Sequence, residues 1–126
     1  MELLQVIKAL SDETRIRIMN LLDEGKLCVC ELEELLQINQ SNASRHLNKL
    51  TNAKLIDYEK SAQYVYYSLN GKTMDALPFI NELLKEFAKL EKCQSDIERL
   101  DKYKQSGLTC EDLKQGKVCL NNEEVK

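Results

Sequence analysis

Residues 31–52 read ELEELLQINQSNASRHLNKLTN, and this stretch decides the fold. Its first part, to about Leu36, carries Leu32, Leu35 and Leu36 on one side of a short helix. Gln37-Ile38-Asn39-Gln40 reads as a brief turn, and Ser41 is suited to cap a second helix to about Asn52. In that helix Ala43, Leu47 and Leu50 recur at i, i+4 and i+7 and face inward. Two short helices joined this way form a helix-turn-helix candidate.

Downstream, Leu55–Glu59 and Tyr64–Leu69 are β-prone runs joined by Lys60-Ser61-Ala62-Gln63. A hairpin directly behind the second helix is the order of a winged helix. Upstream, Leu3, Leu4, Val6, Ile7 and Leu10 predict a short helix over residues 2–10. Ser11 is placed to cap the next helix, with Asp12 and Glu13 near its positive end. Ile16, Met19 and Leu22 form its core stripe, and Gly25 ends it. Leu27-Cys28-Val29-Cys30 is short, apolar and partly β-branched, hence extended.

Pro78 suits the first turn of a long last helix. There Ile80, Leu83, Phe87, Leu90, Cys93, Ile97 and Leu100 form a narrow stripe like a coiled-coil seam. A second copy of the chain is its natural cover. Beyond Tyr103 the periodicity fails. The expected organisation is one domain over residues 1–102 and a flexible cysteine-containing tail over 103–126. The fold class is mainly α with a β-hairpin wing: a winged helix-turn-helix, homodimeric through its first and last helices.

The chain has 126 residues, enough for one modest core. No apolar run is long enough to span a membrane, and the N-terminus lacks a signal-peptide pattern, so the cytosol is the expected compartment. Five cysteines, an odd count without ladder spacing, fit a reducing compartment. The net charge of −3 argues at first against a nucleic-acid partner. Its distribution argues the other way. Residues 40–72 hold five bases (Arg45, Lys49, Lys54, Lys60, Lys72) and two acids (Asp57, Glu59), a local excess of +3. A local basic patch is what phosphate binding needs, whatever the total.

On the helix after the turn, Ser41, Arg45, Asn48 and Asn52 point away from the inward stripe, flanked by Ser44 and Lys49. Arginine can grip guanine O6 and N7 with two hydrogen bonds, and asparagine can do the same for adenine. Arg45 and Asn48 are therefore assigned to base edges of double-stranded DNA. Gln40, Ser41, Ser44 and Lys49 are assigned to its backbone, which positions rather than specifies. Lys60, Gln63 and Tyr64 of the wing are placed to reach an adjacent groove. His46 is the only histidine and borders the buried face. Packing or a phosphate contact suits it better than metal.

Soft thiolates select thiophilic ions. In an extended segment Cys28 and Cys30 share a face, and Cys30 lies at a helix start, which favours a thiolate. From the residues alone, two small apolar side chains filling a core edge are the favoured account.

Three stretches together resemble the arsenic-responsive ArsR/SmtB repressor family: residues 9–18 (ALSDETRIRI), residues 27–32 (LCVCEL), and residues 40–47 (QSNASRHL) with the wing ending at Val65–Leu69. The resemblance covers roughly residues 5–100. It implies a dimeric winged helix that represses a detoxification operon and leaves DNA when trivalent arsenic or antimony, inorganic or methylated, binds Cys28 and Cys30. Where those sensors commonly place a third cysteine, this chain has Glu33. Cys93 fits the buried stripe, which leaves Cys110 or Cys119 as a possible third ligand. A two-thiol site would suit a methylated arsenical. Cadmium and lead sensors of this kind add cysteines on an N-terminal extension, and none precedes Cys28 here. Zinc-sensing relatives use histidines on the last helix, and residues 73–102 contain none. A thiol redox switch is disfavoured because a disulfide between i and i+2 is strained. A thiol enzyme such as an arsenate reductase would need a Gly-rich anion loop and a nearby base. Neither is legible, so no catalysis and no organic cofactor are expected.

Overall fold

The computed structural model describes residues 2–109 and 112–113. In chain order the elements are α1 (Leu3–Leu10), α2 (Glu13–Leu22), β1 (Leu27–Cys28), α3 (Val29–Leu36), α4 (Gln40–Asn52), β2 (Ile56–Ser61), β3 (Tyr64–Leu69), α5 (Gly71–Ala76), α6 (Phe79–Phe87) and α7 (Glu91–Ser106). This is a winged helix-turn-helix. None of the helices described is long and apolar enough to cross a membrane.

The core forms where α2, α3 and α4 meet. Ile18, Met19, Leu21, Leu32, Leu35, Leu47 and Leu50 are fully buried there. Ala43, Leu47 and Leu50 face inward as their spacing predicts. The sheet has three antiparallel strands in the order β1-β3-β2. β1 pairs Leu27 with Tyr67 and Cys28 with Tyr66, so the root of the wing is tied to the segment before α3.

Local chemistry shifts several expected boundaries. Asp12, not Ser11, caps α2, its carboxylate accepting from the Arg15 N–H at 3.1 Å. Ser11 instead closes α1, its hydroxyl donating to the Lys8 carbonyl. Asn39, not Ser41, caps α4 by accepting from the Asn42 N–H at 2.9 Å, which brings Gln40 and Ser41 inside the helix. Only the first half of Leu27–Cys30 is extended. Cys28 is the N-cap of α3, and the Glu31 carboxylate, three residues on, accepts the Cys28 N–H at 2.9 Å. That bond satisfies an amide left open at the helix start and draws Cys30 into the first turn.

The single long last helix is in fact two. A bend at Ala88-Lys89-Leu90 separates α6 from α7, and the short α5 precedes both. Ile80, Phe87, Cys93 and Leu100 are buried within this chain, so the stripe closes mostly on the protein's own core. α7 is also fastened to α2 by a two-bond ion pair, Arg17 Nε and Nη2 donating to Asp96 at 2.8 and 2.7 Å. Among the described residues, the large apolar side chains left in solvent are Leu3, Leu4 and Ile7 on α1, with Tyr58, Phe79 and Leu90 on other parts of the chain.

Candidate nucleic-acid interface and cysteine site

On α4, Gln40, Ser41, Ser44, Arg45, Asn48 and Lys49 are all exposed, on the side opposite the core stripe. Arg45 lies along the helix surface, its Nη2 donating to Asn42 Oδ1 at 3.2 Å. Lys60 is exposed near the end of β2, and Gln63 and Tyr64 stand at the tip of the wing, joined by a 3.1 Å hydrogen bond between Gln63 Nε2 and the Tyr64 hydroxyl. The base-edge and backbone residues expected from the sequence therefore share one polar face.

His46 is the exception. It is 5% exposed and turns inward. Arg15 Nη1 donates to its Nδ1 at 3.1 Å, Asp12 lies 3.6 Å away, and Arg45 Nη2 is 3.5 Å from Nε2. A ring so covered organises α2 against α4 and is poorly placed for a phosphate contact. Burial pushes its pKa below the usual value near 6.5, with Arg45 and Arg15 adding to that shift and Asp12 opposing it. For Asp12 itself, burial raises the carboxyl, but the Arg15 N–H and the charges of His46 and Arg15 outweigh it and leave it lowered. The folded state thus favours neutral His46. That stability is full above the unfolded value of about 6.5 and is lost as pH falls through the lower folded value. Thermal unfolding followed from pH 7.5 to 5 should show the wild type losing more stability than His46→Gln. Parallel curves would remove this role.

The cysteine pair lies at the start of α3. Cys28 is buried, Cys30 is half-buried, and their sulfurs are 3.1 Å apart. That is well beyond the ~2.05 Å of a disulfide between these two residues, and close enough for both sulfurs to reach one ion through bonds of ~2.3 Å. Among the described residues no third His, Cys, Asp or Glu completes a metal-holding group. Cys93 is fully buried in the core, as expected. Cys110 and Cys119 lie outside the described residues. Glu33 lines a cavity with Cys30, and burial raises its carboxyl.

Two neighbours of the pair were missed in the sequence reading. Glu31 holds the Cys28 N–H with one carboxylate oxygen and accepts the Tyr103 hydroxyl at 2.5 Å with the other. Tyr103 is 5% exposed on α7, and burial together with the Glu31 carboxylate pushes its phenol strongly upward, so it remains a donor. Its signal was present: Cys93, Asp96, Leu100 and Tyr103 step at helical spacing, interrupted only by a charged residue.

A cavity of about 200 Å³ joins the two halves of the site. It is lined by Val29, Cys30 and Glu33 from α3, Gln40 and Ser44 from α4, and Gln63, Tyr64 and Val65 from the wing. Residues 12–58 match the family described as bacterial regulatory protein, arsR family. The arsenical resistance operon repressor of Bacillus subtilis is 42% identical over 74 residues, which span 58% of this chain and 70% of that protein. The chain belongs to the ArsR family. A cadmium resistance regulator, the CadC homolog of Staphylococcus aureus, is 40% identical over 61% of this chain and 64% of its own length. Among solved structures, the homodimeric winged helix-turn-helix DNA-binding domain Mb0332 of Mycobacterium bovis, described as a possible ArsR-family transcriptional regulator, superposes with a TM-score of 0.58 at 25% identity. That match covers 70% of this chain and 81% of that one. Within this ArsR fold, Cys30 shares a cavity with residues from the exposed face of α4 and the tip of the wing.

Proposed function

We propose that the chain is a cytosolic transcriptional repressor that binds operator DNA as a homodimer and releases it when a thiophilic metalloid binds Cys28 and Cys30. The inducer class is trivalent arsenic or antimony, inorganic or methylated. The observation that carries this reading is the shared cavity: Cys30 opens onto the same 200 Å³ space as Gln40, Ser44, Gln63 and Tyr64. An ion held there lies between the sensing turn and the groups that face DNA.

In the inducer-free dimer, Arg45 and Asn48 of each copy read base edges in successive major grooves. Gln40, Ser41, Ser44 and Lys49 hold the backbone, and Lys60, Gln63 and Tyr64 steady the wing. The exposed Leu3, Leu4 and Ile7 of α1 supply apolar surface for the second copy. Drawing the two sulfurs onto one ion strains the first turn of α3. Three connections carry that strain outward: α3 packs on α4, Cys28 pairs with Tyr66 at the root of the wing, and Glu31 reaches Tyr103 on α7. The thiols bind and let go; they transform nothing.

Glu33 is a hard oxygen donor and a poor third partner for a soft ion. Cys110 or Cys119 is the proposed third ligand for an inorganic ion. In support, Leu113, three residues beyond Cys110, lines a cavity of about 620 Å³ together with Cys30 and Glu33. A methylated arsenical needs only the pair.

The test titrates a complex of the protein and the duplex upstream of its own gene with arsenite, antimonite, cadmium and lead. Arsenite and antimonite should weaken DNA binding roughly 5- to 150-fold, a coupling of about 1–3 kcal/mol, and DNA should weaken metalloid binding by the same factor. Release by cadmium or lead without release by arsenite would replace the inducer class. No release by any of the four would end the sensing half of the proposal.

A further inference from the structure

The positive surface extends past the helix-turn-helix. Where α1 crosses the second half of α4 there is a groove of about 270 Å³ lined by Gln5, Lys8, Ala9, Arg15, Lys49 and Asn52. Each charged side chain in this lining is a cation, although acids outnumber bases 21 to 18 in the whole chain. Neither Lys8 nor Lys49 has a carboxylate within ion-pair distance among the described residues. Arg15 is fixed in place. Its Nε donates to the Ala9 carbonyl at 2.6 Å and its Nη1 to His46 Nδ1 at 3.1 Å, which leaves further N–H donors for an incoming acceptor. Gln5 and Asn52 add amide donors. Three cations on three helices face one groove, Arg15 with the Asp12 carboxylate in its field.

We propose that this groove seats a phosphodiester of the DNA backbone flanking the half-site, gripped by Lys8 of α1, Arg15 of α2 and Lys49 of α4. The inference rests on the DNA-binding reading above and extends its footprint to two helices outside the helix-turn-helix. The duplex is favoured over a free anion by position. Lys49 lies four residues after Arg45, one helical turn or roughly 6 Å along α4, so a strand bordering the groove read by Arg45 passes this seat. His46 then acts at one remove, as the residue that positions Arg15.

Lys8→Gln is the decisive variant, because Lys8 is exposed and far in sequence from the reading helix. The measurement is the salt dependence of binding to a mixed-sequence duplex of about 30 base pairs, long enough for two half-sites one helical turn apart. Each phosphate contact contributes about 0.9 to the slope of log affinity against log salt, so the variant should lose nearly 2 in slope as a dimer. Lys85→Gln, which removes an exposed lysine paired with Glu82 on α6, should leave the slope unchanged. If the wild type binds with a salt-dependent slope that Lys8→Gln does not alter, the seat is wrong while the DNA-binding reading stands. If the wild type binds no duplex at all, both fall. Inorganic phosphate is the remaining arm: binding lost in Lys8→Gln with the duplex slope intact would make this a free-anion site and overturn the assignment to DNA.

Discussion

Serine in place of Cys28 should leave operator affinity within about twofold of the wild type, and arsenite should no longer release the complex. The backbone at this position does structural work that serine preserves: the N–H is bound by Glu31 at 2.9 Å, and the residue pairs with Tyr66 across β1 and β3. The side chain is small and 1% exposed, so exchanging sulfur for oxygen leaves no cavity of consequence. Soft-ion affinity is what changes, because a hydroxyl does not replace a thiolate as a ligand. A coupling of roughly 5- to 150-fold should collapse to none. Anisotropy of a labelled operator, titrated with arsenite in both proteins, reads this directly. Release of the variant at the wild-type arsenite concentration would move the sensor away from α3.

The second large effect is on stability. Asp96 is 1% exposed and takes two hydrogen bonds from Arg17, whose side chain is 18% exposed. Asp96→Ala leaves that guanidinium mostly covered and without its counter-charge. Removing one partner of a buried pair costs about 3–5 kcal/mol, and the remaining solvent access of Arg17 places this case near the lower end, about 3 kcal/mol. The pair is the covered ion pair between α2 and α7, with Asn20 Nδ2 donating to the Cys93 carbonyl at 3.3 Å and an exposed Lys92–Glu13 pair at 2.7 Å also joining the two helices. In urea the midpoint should fall while the slope stays constant. A loss below about 1 kcal/mol would mean that water reaches Arg17 well enough to replace the carboxylate.

The parts of the fold that were legible are those where one periodicity governs a whole element. Ala43, Leu47 and Leu50 announce the inner face of α4, and the opposite face follows from it. The hairpin declares itself through Tyr64–Leu69. Helix starts were less legible because two cap-capable residues stand close together at each, Ser11 beside Asp12 and Asn39 shortly before Ser41, and only the surrounding geometry selects between them. The break between α6 and α7 carries no glycine or proline. Both helices turn apolar residues toward one core, so their stripes join in the sequence as though continuous. The cysteine pair was visible as a pair. Its support by Glu31 and Tyr103 was not, because those two meet across 72 residues, just as Arg15 and His46 meet across 31. Contacts of that range leave no spacing to read.

The Glu31 carboxylate, shared between the Cys28 amide and the Tyr103 phenol, sets a limit on modular engineering. The proposed inducer site looks like a cassette of six residues, LCVCEL, portable into any relative. Yet half of Glu31's bonding comes from the far end of the domain, beyond the residues 12–58 that define the family match. A transplanted cassette arrives with its acceptor and without its donor. Moving this specificity into another repressor therefore requires two grafts that travel together, the turn around Cys28 and the end of α7.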